Sequence, residues 1–191
     1  HMKSLSGYTS ITDVHRFLGP AIAKALLSFH AFTGCDTTGK FSGKSKEFWT
    51  KRFIEERNNV LFIDSLNSLQ DVGPSEYSIR HLASFVCRAY CRRNTPARIT
   101  EDLAETRYFL YKKFSSYTNK LPPTKGAFHQ HVLRSFCQIA PWSTAHSLIL
   151  DIPDINDNGW HDVDGMLMHL MHLMHSVHLL RLYPVTVKGT I

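Results

Sequence analysis

Apolar residues recur along this chain at helical spacing, and the alternation expected of half-buried strands is nearly absent. The stretch "SITDVHRFLG" sets Val14, Phe17 and Leu18 on one side, offers Thr12 as an N-cap and ends at Gly19, which predicts a short helix. Pro20 is placed to open the next one, "PAIAKALLSFHAF", apolar on most sides and therefore expected at the centre of the core. "KEFWTKRFIEER" puts Phe48, Trp49 and Phe53 opposite lysines and arginines, and "NVLFIDSLNSL" repeats apolar positions until Gly73-Pro74 breaks them. "EYSIRHLASFVCRAYCRR" is the longest regular segment, with Ile79, Leu82, Phe85, Val86, Ala89 and Tyr90 inward.

Further on, "ITEDLAETRYFLYKKFSSY" is amphipathic, with Thr100 as the expected N-cap and Lys112 and Lys113 suiting the negative end of the helix dipole. After Pro122-Pro123 a helix is predicted through Cys137, stopping near Pro141. Residues Leu150 to Gly165 are acidic and turn-rich and predict a long loop holding Trp160. Its five aspartates do not meet the spacing of a calcium loop. The chain ends in a Met/His repeat, expected as a packing or partner-facing helix. A helix would spread His169, His172, His175 and His178 around its circumference, so the repeat resembles low-complexity expansion more than a tuned metal site.

These elements predict a mainly α multi-helix bundle of about seven to nine helices, and the 191 residues with 43% hydrophobic content suffice for one domain with a proper core. A net charge of +6 favours a polyanionic partner without requiring one. Four cysteines, Cys35, Cys87, Cys91 and Cys137, show no CxxC pair or finger spacing and are expected as core thiols in a reducing compartment. No apolar run reaches the roughly 18 residues of a membrane span, and no signal peptide is visible. His1-Met2 looks like a cloning remnant, so the chain is expected to begin inside a longer protein.

Candidate chemistry concentrates in "FHAFTGCDTTGKFSGKSK", residues 29 to 46. Gly39 and Gly43 with Lys40, Lys44 and Lys46 precede a helix N-terminus, an arrangement suited to phosphate. It is not a Walker A loop, because Thr38 stands where that motif requires glycine. Spacing alone leaves two readings, a capped helix end with solvated lysines and a phosphate-gripping loop.

This stretch, together with "RFLGPAIAKALLSFHAFTGCDTT", "FIDSLNSLQDVG", "LASFVCRAYC", "LPPTKGAFHQHVLRS" and "NDNGW", resembles in order the C-terminal part of PIN-like, flap-endonuclease-related proteins associated with transposons in invertebrate and fish genomes. The resemblance covers residues 8–165, leaving 166–191 as a divergent segment. It implies the C-terminal helical half of a metal-dependent nuclease without its parallel-sheet core, inactive alone. Asp36 matches the last of the family's carboxylates for Mg²⁺ or Mn²⁺, and Gly43 stands where the first glycine of a DNA-gripping hairpin falls. Ser45 departs from the second hairpin glycine. The expectations are DNA binding, of branched or flap form, by Lys40, Gly43, Lys44 and Lys46, with Arg80, Arg88, Arg92 and Arg93 as a secondary basic face. An intracellular, nuclear location follows from a DNA partner. The alternative is a catalytically decayed, transposon-derived module that binds a protein through the Met/His segment.

Overall fold

A computed structural model describes residues 10–92, 94–113, 121–147, 153–156, 158–163 and 166–169. Among them the chain is mainly helical, with eight helices: α1 Ile11–Leu18, α2 Pro20–Phe32, α3 Lys46–Glu56, α4 Val60–Asp71, α5 Glu76–Tyr90, α6 Ala97–Thr100, α7 Leu103–Lys113 and α8 Lys125–Ser143. One two-stranded antiparallel ribbon, β1 Trp160–Val163 and β2 Met166–His169, follows them.

Local polar chemistry sets the helix starts. Ser45, Asn59, Ser75 and Thr124 each turn a side-chain oxygen back to a first-turn amide, and Ser75 and Ser78 cap each other reciprocally. Two expected caps shift. Ser10, not Thr12, caps α1 by accepting from the Asp13 amide. Thr100 closes the four-residue α6, and Asp102 Oδ1 accepts from the amides of Ala104 and Glu105 at the start of α7. A carboxylate next to free first-turn amides is the stronger acceptor, and it also complements the positive end of the helix.

α2 is the central helix, packed against α1, α4 and α8, while α4 also packs on α5. Its apolar breadth buries Ala25, Phe29, Ala31 and Phe32, the last without any exposed surface. Aromatic rings carry the core outward from there. Phe29 meets Phe53 on α3 at 4.5 Å, and Phe62 on α4 stacks on Phe85 of α5 at 4.0 Å with planes 13° apart. Trp49, fully buried, bridges Phe85 and Phe41. Full burial of such rings contributes about 1.5–3 kcal/mol each, so this cluster dominates the packing.

The Met/His segment departs from its helical expectation. Its first four residues, Met166–His169, form β2 and pair with Trp160–Val163 in the register Trp160↔His169 through Val163↔Met166. Part of the expected long loop is therefore a strand as well. The ladder satisfies backbone groups that an isolated short helix leaves open at its ends. The boundary expected at residues 165 and 166 falls between these paired strands. The remainder of the repeat, including His172, His175 and His178, lies outside the described residues.

Candidate nucleic-acid interface

The end of α2 is the scaffold of the site. A helix leaves its last carbonyls without intrahelical donors, and here each finds one nearby. The Thr33 hydroxyl donates to Phe29 O at 2.7 Å, the Thr38 hydroxyl to Ala31 O at 2.7 Å, and His131 Nε2 to Phe32 O at 2.7 Å. Lys46 Nζ donates to His30 O at 2.6 Å, to Gly34 O at 2.8 Å and to Thr33 Oγ1 at 2.8 Å. Its ammonium therefore lies at the negative end of α2, where a cation is favoured. Three side chains from later in the chain, Thr38, Lys46 and His131, thus lock down the stretch that follows α2.

Gly34 makes the turn out of the helix at φ +104, and a Cβ there would sit 2.9 Å from Lys40 Cγ and 3.1 Å from the Gly39 carbonyl. Beyond it the loop is not merely solvated. Phe41 is 5% exposed, wedged at 4.7 Å from the His131 ring and 4.9 Å from Trp49. The Tyr90 hydroxyl donates to Ser42 O at 2.7 Å. Gly43 takes φ +69 in the turn closed by the bond from the Lys44 amide to Phe41 O. Ser45, the departure from the expected hairpin glycine, caps α3 by accepting from the Phe48 amide at 3.2 Å.

These elements enclose one groove of about 670 Å³, lined by His30, Thr33 to Thr37 with Asp36 among them, Lys40, Lys44, Ser45, Lys46, Gln138 and Trp142. Asp36, Lys40, Lys44 and Lys46, separated in sequence by up to ten positions, converge there. The three lysines are not equivalent. Lys46 is held by the α2 carbonyls, and burial pushes its pKa down. Lys44 Nζ lies over two rings, 4.1 Å from the Phe48 centroid and 4.6 Å from that of Tyr90, with its pKa lowered by burial and by Arg52. Lys40 is exposed. Positive potential is therefore built into the wall, and Lys40 is the cation most open to a ligand.

Cys35 also faces the groove. Burial works to raise its thiol, but hydrogen bonds with the hydroxyls of Thr37 at 3.3 Å and Thr38 at 3.2 Å outweigh it, and the pKa is lowered. His30 is lowered by burial and by the Lys46 charge, against an opposing pull from Asp36. Among the described residues no three His, Cys, Asp or Glu side chains come together as a metal-ligand group. Asp36 is the one carboxylate among the residues lining this groove, and the described residues do not themselves fit a Mg²⁺ or Mn²⁺ site.

Of the arginines expected as a second basic face, Arg80 and Arg88 line one cavity and Arg88 and Arg92 another, each with acidic side chains among them. Arg88 makes a two-point ion pair with Glu56, Nε to Oε1 at 2.7 Å and Nη2 to Oε2 at 2.6 Å, and Glu56 also receives the Asn59 side-chain amide. Arg80 is exposed and borders a mixed-charge cavity with Glu76, Glu101 and Asp102. Arg92 is exposed beside Arg52 and Glu55 in another. Arg93 lies outside the described residues. Of the four expected core thiols, Cys87 and Cys91 are buried, with burial pushing Cys87 up to about 11, whereas Cys35 and Cys137 are half-buried; all four are free.

Sequence reading missed the far wall, contributed by α8. That helix runs through Pro141 to Ser143, since a proline near a helix end forfeits only one carbonyl partner, and the two added residues include Trp142. Trp142 pairs with His30 at 5.7 Å between ring centroids, and the Thr37 hydroxyl donates to Gln138 Oε1. An aromatic just past a helical pattern was the available signal; its neighbour, more than a hundred positions earlier, carried none.

No described helix is long and apolar enough to cross a membrane. Comparison with protein-family models, with curated proteins and with solved structures finds no match to this chain.

Proposed function

We propose that this chain engages DNA through the groove between the end of α2 and the last turn of α8, as the C-terminal portion of a metal-dependent nuclease of the PIN-like, flap-endonuclease-related kind. The observation that carries the reading is the convergence of Lys40, Lys44 and Lys46 with the N-terminal end of α3 on one groove wall. Lys40 takes a backbone phosphate directly. Lys44 and Lys46, held by rings and carbonyls, supply a fixed positive potential that costs no ordering when the ligand arrives. Asp36 would complete a Mg²⁺ or Mn²⁺ site only in a longer protein that supplies the other carboxylates from upstream, so cleavage by this groove alone is not expected. Such an ion would polarise a phosphate ester. A DNA partner implies work in the nucleus.

The test is fluorescence anisotropy with labelled flap and duplex DNA at low and high salt. Binding should weaken with about one unit of log–log slope per neutralised phosphate, and Lys40→Glu should abolish most of it. Binding indifferent to salt and to Lys40 would overturn the reading. A second reading, a protein-interaction module, is favoured by α1, which leaves Ile11 85% and Phe17 74% exposed on one short helix. Docking there would persist at high salt and fail in Phe17→Ser.

A further inference from the structure

Resting on the DNA-binding reading, we infer that the groove selects a single strand, with Trp142 and His30 forming a platform on which an unpaired base stacks while Lys40 holds a neighbouring phosphate.

The groove brings together two chemically different sets of side chains: Lys40, Lys44 and Lys46, and, at the last turn of α8, Trp142 with the His30 ring 5.7 Å away and tilted by 39°. Trp142 is 36% exposed where it lines the groove. Trp49, by contrast, is wholly buried. A large ring left open beside cations is what a strand with splayed bases requires, since every base has a π-face and every nucleotide a phosphate. In a duplex the bases are already stacked on one another and cannot reach such a platform, so a duplex gains only the phosphate contact. The ring pair is also held in place: Thr37 bonds Gln138 one turn before Trp142, and Lys46 fixes the backbone of His30. Burial and the Lys46 charge lower the His30 pKa, which favours the neutral ring that stacks without bringing a proton.

The experiment compares fluorescein-labelled oligo(dT) with a duplex of equal length at one salt concentration, for wild type, Trp142→Ala, Trp142→Leu, Trp142→Phe and Lys40→Glu, each checked for folding by circular dichroism. The wild type should prefer oligo(dT). Trp142→Ala and Trp142→Leu should weaken oligo(dT) binding about tenfold or more and leave duplex binding unchanged, Trp142→Phe should retain most of it, and Lys40→Glu should weaken both ligands. Equal affinity for strand and duplex, with no loss in the Trp142 variants but a loss in Lys40→Glu, overturns the stacking platform and leaves phosphate binding standing. Binding of neither ligand by the wild type overturns both.

Discussion

The Lys46 ammonium lies 2.6 Å from the carbonyl oxygen of His30, sixteen positions earlier in the chain, and the same nitrogen also reaches Gly34 O. A lysine that reads as a ligand-seeking side chain in a glycine-rich loop is thereby a C-terminal cap for the central helix. We predict that Lys46→Met destabilises the fold by about 1–3 kcal/mol, because two backbone carbonyls lose their donor and α2 loses a cation at its negative end. Lys40→Met, which removes no such bond, should change stability by less than about 0.5 kcal/mol. Urea midpoints at constant slope separate the two; equal losses would mean that Lys46 is not a structural cap.

His131 gives the fold an acid sensitivity. Its pKa is pushed from 6.5 down to about 4 by burial, an effect that its bond to Phe32 O opposes and nearby Arg134 reinforces. The unfolded chain therefore binds a proton between pH 6.5 and 4 that the folded chain refuses. Stability from the neutral ring is fully present above 6.5, declines as pH falls through that window and levels off below 4, a loss of order 3 kcal/mol. In His131→Gln, thermal melts across this range should show a flatter pH dependence. An unchanged slope would assign the acid sensitivity elsewhere.

Glu56 ties three helices together, receiving Arg88 from α5 and Asn59, the N-cap of α4, at the end of α3. With Arg88 engaged in this way, Arg88→Gln should leave the salt slope of DNA binding unchanged while costing about 1–2 kcal/mol of stability. A double-mutant cycle with Glu56→Gln should return a coupling of at least about 0.5 kcal/mol. A lowered salt slope in Arg88→Gln would return this arginine to the nucleic-acid surface.

Thiol reactivity should divide the cysteines. Hydroxyl hydrogen bonds favour the Cys35 thiolate, whereas burial pushes Cys87 and Cys137 up to about 11 and raises Cys91. In native protein at pH 7.5, iodoacetamide followed by peptide mass spectrometry should label Cys35 first, with Cys87 modified only on unfolding. Simultaneous labelling of Cys35 and Cys87 would contradict the difference in environment.

Periodicity in the sequence was sufficient for the helical class and for the central place of α2, because an apolar repeat at 3.6 residues leaves few ways to bury itself. Gly19, Pro20, Gly73 and Pro74 likewise punctuate the chain where their backbone preferences place them. Caps were less legible: Thr12 and Ser10, or Thr100 and Asp102, are interchangeable in composition, and only the local backbone selects the oxygen that meets a free amide. The ribbon was masked by the three-residue repeat that follows it, since pairing depends on a partner strand rather than on the repeat itself.

By itself, then, the sequence determined a basic, mainly helical chain with its chemistry gathered after α2, consequences of local spacing, charge and backbone preference. Tertiary structure alone decided what each cation does. Lys44 meets two rings, Lys46 meets the end of α2 and Arg88 meets Glu56, leaving Lys40 exposed in the groove that Trp142 also lines. The reason is range: helix formation is written in neighbours three and four positions apart, whereas a charge is spent or left open according to groups brought beside it from tens of positions away.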